Sequence, residues 1–60
     1  MKYFLNISRN GRYVAATQPI FVSENEAVGL YNLFKERFTE ADGFKVELNR
    51  KEDSYVRVLP

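Results

Sequence analysis

The sequence predicts an α+β fold with the element order ββαββ: a four-stranded, mainly antiparallel sheet with one helix packed on one face. Three observations lead there. Asn10-Gly11 separates two strand-like runs, Ser23-Glu24-Asn25-Glu26 opens a helical pattern, and two further apolar-rich runs flank a polar turn after that helix. The 60 residues make one domain, 1–60, near the lower size limit for folding without staples.

Residues 2–8 form the first strand, with Tyr3, Leu5 and Ile7 alternating onto one face. Asn10-Gly11 is a type I′ turn signal, because both central positions need positive φ. Residues 12–18 return as the second strand. A two-residue turn sets the register, pairing Ile7 with Val14 and Leu5 with Ala16 on the core face. On the other face it pairs Ser8 with Tyr13, Asn6 with Ala15 and Phe4 with Thr17. Pro19 ends regular pairing for want of an N–H, and Ile20-Phe21-Val22 is a short apolar bridge.

Ser23 caps the helix, its hydroxyl accepting from the Glu26 N–H while the Glu26 carboxylate reaches back to the Ser23 N–H. Val22 and Ala27 form a hydrophobic staple, and Glu24 and Glu26 suit the positive end of the helix dipole. The helix is expected from about Glu24 to Thr39, with Ala27, Leu30, Tyr31, Phe34 and Phe38 as its buried stripe. Val28 and Leu33 flank the stripe, and Asp42-Gly43 is the stop. Residues 44–49 alternate with Phe44, Val46 and Leu48 inward, Arg50 to Ser54 is a polar turn, and residues 55–59 form the last strand. A right-handed crossover then places the first strand between the second and third, giving the order 2-1-3-4.

Composition excludes several chemistries. With no Cys there is no disulfide framework and no thiolate metal site; with no His there is no imidazole ligand and no Ser–His or Cys–His nucleophile pair. Ser8, Ser23 and Ser54 lack a base, no Gly-rich phosphate loop is present, and so small a chain has little mass for a pocket that would tune Glu47, Glu52 or Asp53. No enzyme activity, cofactor or metal is expected. Stability rests on the aliphatic and aromatic core, or on obligate dimer formation. Met1 to Asn6 carry one positive charge and no long apolar run, which is neither a secretory signal nor a membrane span. A cytoplasmic location is expected.

The net charge of +1 hides an asymmetry: residues 1–22 carry +3, residues 23–43 carry −3 and residues 44–60 carry +1. The helix is acidic and the sheet mildly basic. Alternation leaves one sheet face uncovered, showing Phe4, Tyr13 and Tyr55 with Lys45, Arg57, Asn6 and Thr17 between them. Such a face anchors protein interfaces. It also suits single-stranded nucleic acid, or pairing with a second copy as a structural homodimer. The plainest alternative is that the rings only shield the sheet. The basic turn residues Arg9, Arg12, Arg50 and Lys51 sit at opposite ends of the sheet and do not merge into one footprint. The acidic helix reads chiefly as a capped, solvated face and less as a phosphate mimic.

The hairpin, the capped helix Val22-Ser23-Glu24-Asn25-Glu26-Ala27 and the following Gly43-Phe44-Lys45-Val46 strand resemble, in layout, small bacteriophage proteins that inhibit host machinery. The phage inhibitors of host RNA polymerase and some anti-CRISPR proteins share this plan over roughly residues 20–48. This chain departs from the polymerase inhibitor in having a complete second hairpin after the helix. The resemblance implies a stand-alone protein that acts by binding, and carries over no functional residue. The expected function is therefore occlusion of a host protein's functional surface. Phe4, Tyr13 and Tyr55 would be the apolar anchors, with Arg57, Lys45 and Arg12 orienting the complex.

Overall fold

Alternating apolar residues in two long strands lay down the centre of the sheet. In the computed structural model, which describes residues 1–60, β1 is Lys2–Arg9, β2 Arg12–Ala16, β3 Ile20–Phe21, α1 Glu24–Arg37, β4 Phe44–Lys51 and β5 Tyr55–Leu59. The strand order is β2-β1-β4-β5, every ladder is antiparallel, and β3 pairs with β1 beyond the end of β2. The expected order and single covering helix are present. The fifth, two-residue strand is additional: Ile20 and Phe21 stand opposite Tyr3 and Lys2 instead of bridging freely to the helix.

Asn10 (φ 51°) and Gly11 (φ 81°) form the first turn, as their residue types dictate. The register that a two-residue turn imposes survives only for Arg9↔Arg12 and Ser8↔Tyr13. Beyond them the expected partners are displaced: Ile7 faces Ala15 and Asn6 faces Ala16, with a bulge opposite the Ile7/Ser8 step. The cause lies at Thr17. Its Oγ1 accepts from the Leu5 N–H at 2.8 Å and its own N–H donates to the Leu5 carbonyl at 2.9 Å. Holding Thr17, and not Ala16, against Leu5 requires one extra residue in β2, and that residue is Val14. A second residue is absorbed around Pro19 before β3 resumes the edge. The other edge strand is also irregular, with a bulge between the Leu48 and Asn49 pairs of β5. Bulged edges resist pairing with foreign strands.

The capping box at Ser23 is complete: Ser23 Oγ accepts from the Glu26 N–H at 3.2 Å, and the Ser23 N–H donates to Glu26 Oε1 at 3.4 Å. The helix ends at Arg37, short of the expected Thr39. Thr39 instead organises the next turn, its Oγ1 donating to Asp42 Oδ2 at 3.0 Å and its carbonyl accepting the Phe44 N–H at 3.1 Å. Gly43, at φ 86°, closes that 3-10 turn over Glu40–Asp42. Its carbonyl accepts the Asn10 N–H at 2.9 Å, while Arg9 Nε donates to the Asp42 carbonyl at 3.1 Å and stacks over the Phe44 ring. The first hairpin and the helix exit are thereby locked together.

Seven residues are buried: Tyr3, Leu5 and Ile7 of β1, Val46 and Leu48 of β4, Ala27 and Tyr31 of α1. Each large aliphatic or aromatic side chain so placed contributes about 1.5–3 kcal/mol of burial free energy. Val28, Leu30, Phe34 and Phe38 pack against this core only partly buried, and Leu33 is 57% exposed, outside the stripe altogether. Tyr31 donates its hydroxyl to the Pro60 carbonyl, tying the end of β5 to the helix. Because α1 lies over β4 and β1, β2 receives no cover and all five of its residues are exposed.

Candidate functional site

Alternation puts Lys2, Phe4, Asn6 and Ser8 of β1 on the face away from the helix. Their neighbours on β4 are Lys51, Asn49, Glu47 and Lys45. Tyr13 joins this face beside Ser8, and Tyr55 and Arg57 join it beside Lys51 and Asn49. Five of the six residues expected from the sequence thus share one face: Phe4, Tyr13, Tyr55, Lys45 and Arg57. Arg12 does not. It stands opposite Arg9, one residue from Tyr13, and alternation turns it to the helix side of β2.

The face has internal geometry that spacing alone does not reveal. Phe4 and Tyr55 meet edge to face across β4, with ring centroids 5.3 Å apart. They form one wall of a shallow depression of about 410 Å³ whose floor is Asn6 and Asn49 and whose far wall is Ala16, Thr17 and Pro19. Tyr13 and Tyr55 remain 70% and 69% exposed at opposite ends of the face. Arg57, expected to be free for a partner, has its Nε 3.0 Å from Glu47 Oε2. Lys45 is exposed and in no ion pair.

Three residues that the sequence reading does not place on the outer face also belong to it. Lys51 belongs to β4 and not to the polar turn, which places it directly opposite Lys2. Phe21, 75% exposed, stands on the other side of Lys2 with the ammonium 5.0 Å from its ring centroid. The outward phase of Lys2 was readable from the alternation of β1; Lys51 and Phe21 needed the length of β4 and the existence of β3.

Four cations (Lys2, Lys45, Lys51, Arg57) against one anion (Glu47) give the outer face a charge of +3. The remaining acids lie on α1, in the 3-10 turn and in the β4–β5 turn, where Glu52 pairs with Arg50 at 3.3 Å. The molecule is therefore polarised, basic on the sheet and acidic on the helix side.

On the opposite side an apolar cleft of about 300 Å³ opens between α1 and the interrupted β2–β3 edge. Leu5 and Leu48 lie at its base, Ala27, Leu30 and Phe34 on the helix wall, and Ile20 and Val22 on the edge wall. No charged side chain lines it.

No helix is long and apolar enough to cross a membrane. Comparison with protein-family models, with curated proteins and with solved structures finds no match to this chain.

Proposed function

We propose that this chain is a non-catalytic binding protein that occludes a functional surface of a partner protein, a host protein in the manner of the phage inhibitors whose layout it resembles. The outer sheet face is its binding surface. The observation that carries this reading is the pairing of an uncovered sheet face with exposed aromatic anchors: Tyr13 and Tyr55 at 70% and 69%, with Phe4 packed edge to face against Tyr55. Exposed aromatic clusters among cations mark contact surfaces, and Tyr is enriched at binding hot spots. The non-catalytic part of the reading is supported by a sequence without His or Cys and by a buried set without charged residues.

Single-stranded nucleic acid is the second reading, favoured by the charge of the face. The ring geometry weighs against it. Base stacking needs free π-faces, but Lys2 covers one face of Phe21 and the edge-to-face contact of Phe4 with Tyr55 takes up another, so Tyr13 alone of the outer-face rings has neither a ring nor a cation against it. A structural homodimer is the third. Face-to-face pairing would oppose two surfaces of the same charge, and edge pairing meets bulged strands.

The test is capture from bacterial lysate by the tagged chain, with and without nuclease, alongside a Tyr13→Ala/Tyr55→Ala variant. One stoichiometric protein, retained after nuclease and lost with the folded variant, is the expected result. Retention that disappears with nuclease moves the assignment to nucleic acid. Retention indifferent to the two substitutions removes the outer face from consideration.

A further inference from the structure

We infer that the outer sheet face is built for an acidic protein surface, with the opposed pair Lys2 and Lys51 as its anion-holding centre. This rests on the reading that the outer face is the binding surface. Lys2 and Lys51 are direct cross-strand neighbours in the β1–β4 ladder. Like charges so placed repel, and neither lysine belongs to an ion pair: the two in the molecule are Arg50–Glu52 and Arg57–Glu47. The one acid on the face does not offset them, because Glu47 is engaged by Arg57 at 3.0 Å. Lys45, further along β4, is unpaired as well.

The flanks of the pair give it a direction of use. Phe21 stands beside Lys2 and Tyr55 beside Lys51, so one row across four strands runs aromatic, cation, cation, aromatic. A carboxylate seated over the row, drawing the Lys2 ammonium from its place 5.0 Å from the Phe21 ring centroid toward Lys51, removes their repulsion and gains charge-assisted hydrogen bonds. The rings at either end supply apolar contact to the groups around that carboxylate. The acids of α1 and of the helix exit lie off this face, and of the two turn acids that follow Lys51, Glu52 is held by Arg50 at 3.3 Å, so Asp53 is the one unpaired acid near the lysine pair and the polarity of the molecule still turns its sheet toward an approaching acidic surface.

The test titrates the isotopically labelled full chain, at low ionic strength, with a random glutamate–tyrosine copolymer and separately with a short oligothymidylate, following backbone amide shifts. Wild type is compared with Lys2→Ser/Lys51→Ser and with the helix control Lys35→Gln. Copolymer binding is expected to shift Lys2, Lys51 and Tyr55, to weaken about tenfold in the double variant, and to be unchanged in the control. Outer-face shifts that persist undiminished in the double variant overturn the lysine assignment and leave the binding face standing. Shifts confined to α1 overturn both. Tighter binding of oligothymidylate overturns the inference in favour of nucleic acid. The same shifts produced by raising protein concentration alone overturn it in favour of a second copy offering its acidic helix. No shift with either probe overturns the inference alone, because binding of the captured partner is measured separately.

Discussion

Replacing Gly43 with alanine should destabilise the protein by about 2–3 kcal/mol, against about 1 kcal/mol for the same change at Gly11. Both glycines sit in the left-handed region, at φ 86° and 81°. An L-residue there costs about 1–2 kcal/mol, offset by about 0.4–1 kcal/mol from the stiffer unfolded chain. At Gly11 nothing lies within 4 Å of the added Cβ, so only this backbone term operates. At Gly43 the new Cβ runs into the Asn10 side chain. The Asn10 N–H is bonded to the Gly43 carbonyl, which holds the two backbones together, so the exposed Asn10 side chain must rotate aside instead. Displacing it adds about 1–2 kcal/mol, the lower part of the range for overpacking. A domain of this size holds about 3–9 kcal/mol in total, and each kcal/mol moves its Tm by about 4–8 °C. Thermal unfolding followed by circular dichroism should therefore show a drop of about 4–8 °C for Gly11→Ala and about 10–20 °C for Gly43→Ala. Asn10→Gly combined with Gly43→Ala should recover about 1 kcal/mol of the steric part as a coupling energy. Equal losses in the two single variants, or no coupling in the double, would refute the proposed lock between the first turn and the helix exit.

Other consequences are open to the same assay. Ser23→Ala removes the hydroxyl that accepts from the Glu26 N–H, leaves the backbone N–H of residue 23 to the Glu26 carboxylate, and should cost about 1 kcal/mol. Leu48→Ala, at the best-buried large side chain, should cost about 2–5 kcal/mol and leave the chain near its unfolding limit at 37 °C. Leu33→Ala, on the exposed side of the helix, should change stability by no more than about 0.5 kcal/mol. Tyr31→Phe deletes the bond to the Pro60 carbonyl and should cost about 0.5–1.5 kcal/mol, with faster amide exchange concentrated in β5.

The sequence was most informative where one local interaction settles the backbone. Asn10-Gly11 needs only its own φ preferences to make the turn, and Ser23 and Glu26 need only each other to start the helix. The alternation of Tyr3, Leu5, Ile7 and of Val46, Leu48 set the inward face of both central strands, and with it the outward phase of Phe4 and Lys45. It was least informative along the edges. The bulge at Val14 follows from Thr17 binding Leu5, a contact between residues far apart in sequence that no periodicity encodes. Phe21 became an outer-face residue only because β1 had an unpaired stretch for it to join.

By itself, then, the sequence determined the class of fold, the central strands, the capped helix and the outward placement of Phe4, Tyr13, Lys45, Tyr55 and Arg57, because each follows from side-chain phase or short-range bonding. Tertiary structure alone decided the rest. It turned Arg12 to the helix side, tied Arg57 to Glu47, left β2 without cover, and set Lys2 against Lys51. These depend on register and on where one short helix rests over a wider sheet, quantities fixed by the balance of many distant contacts.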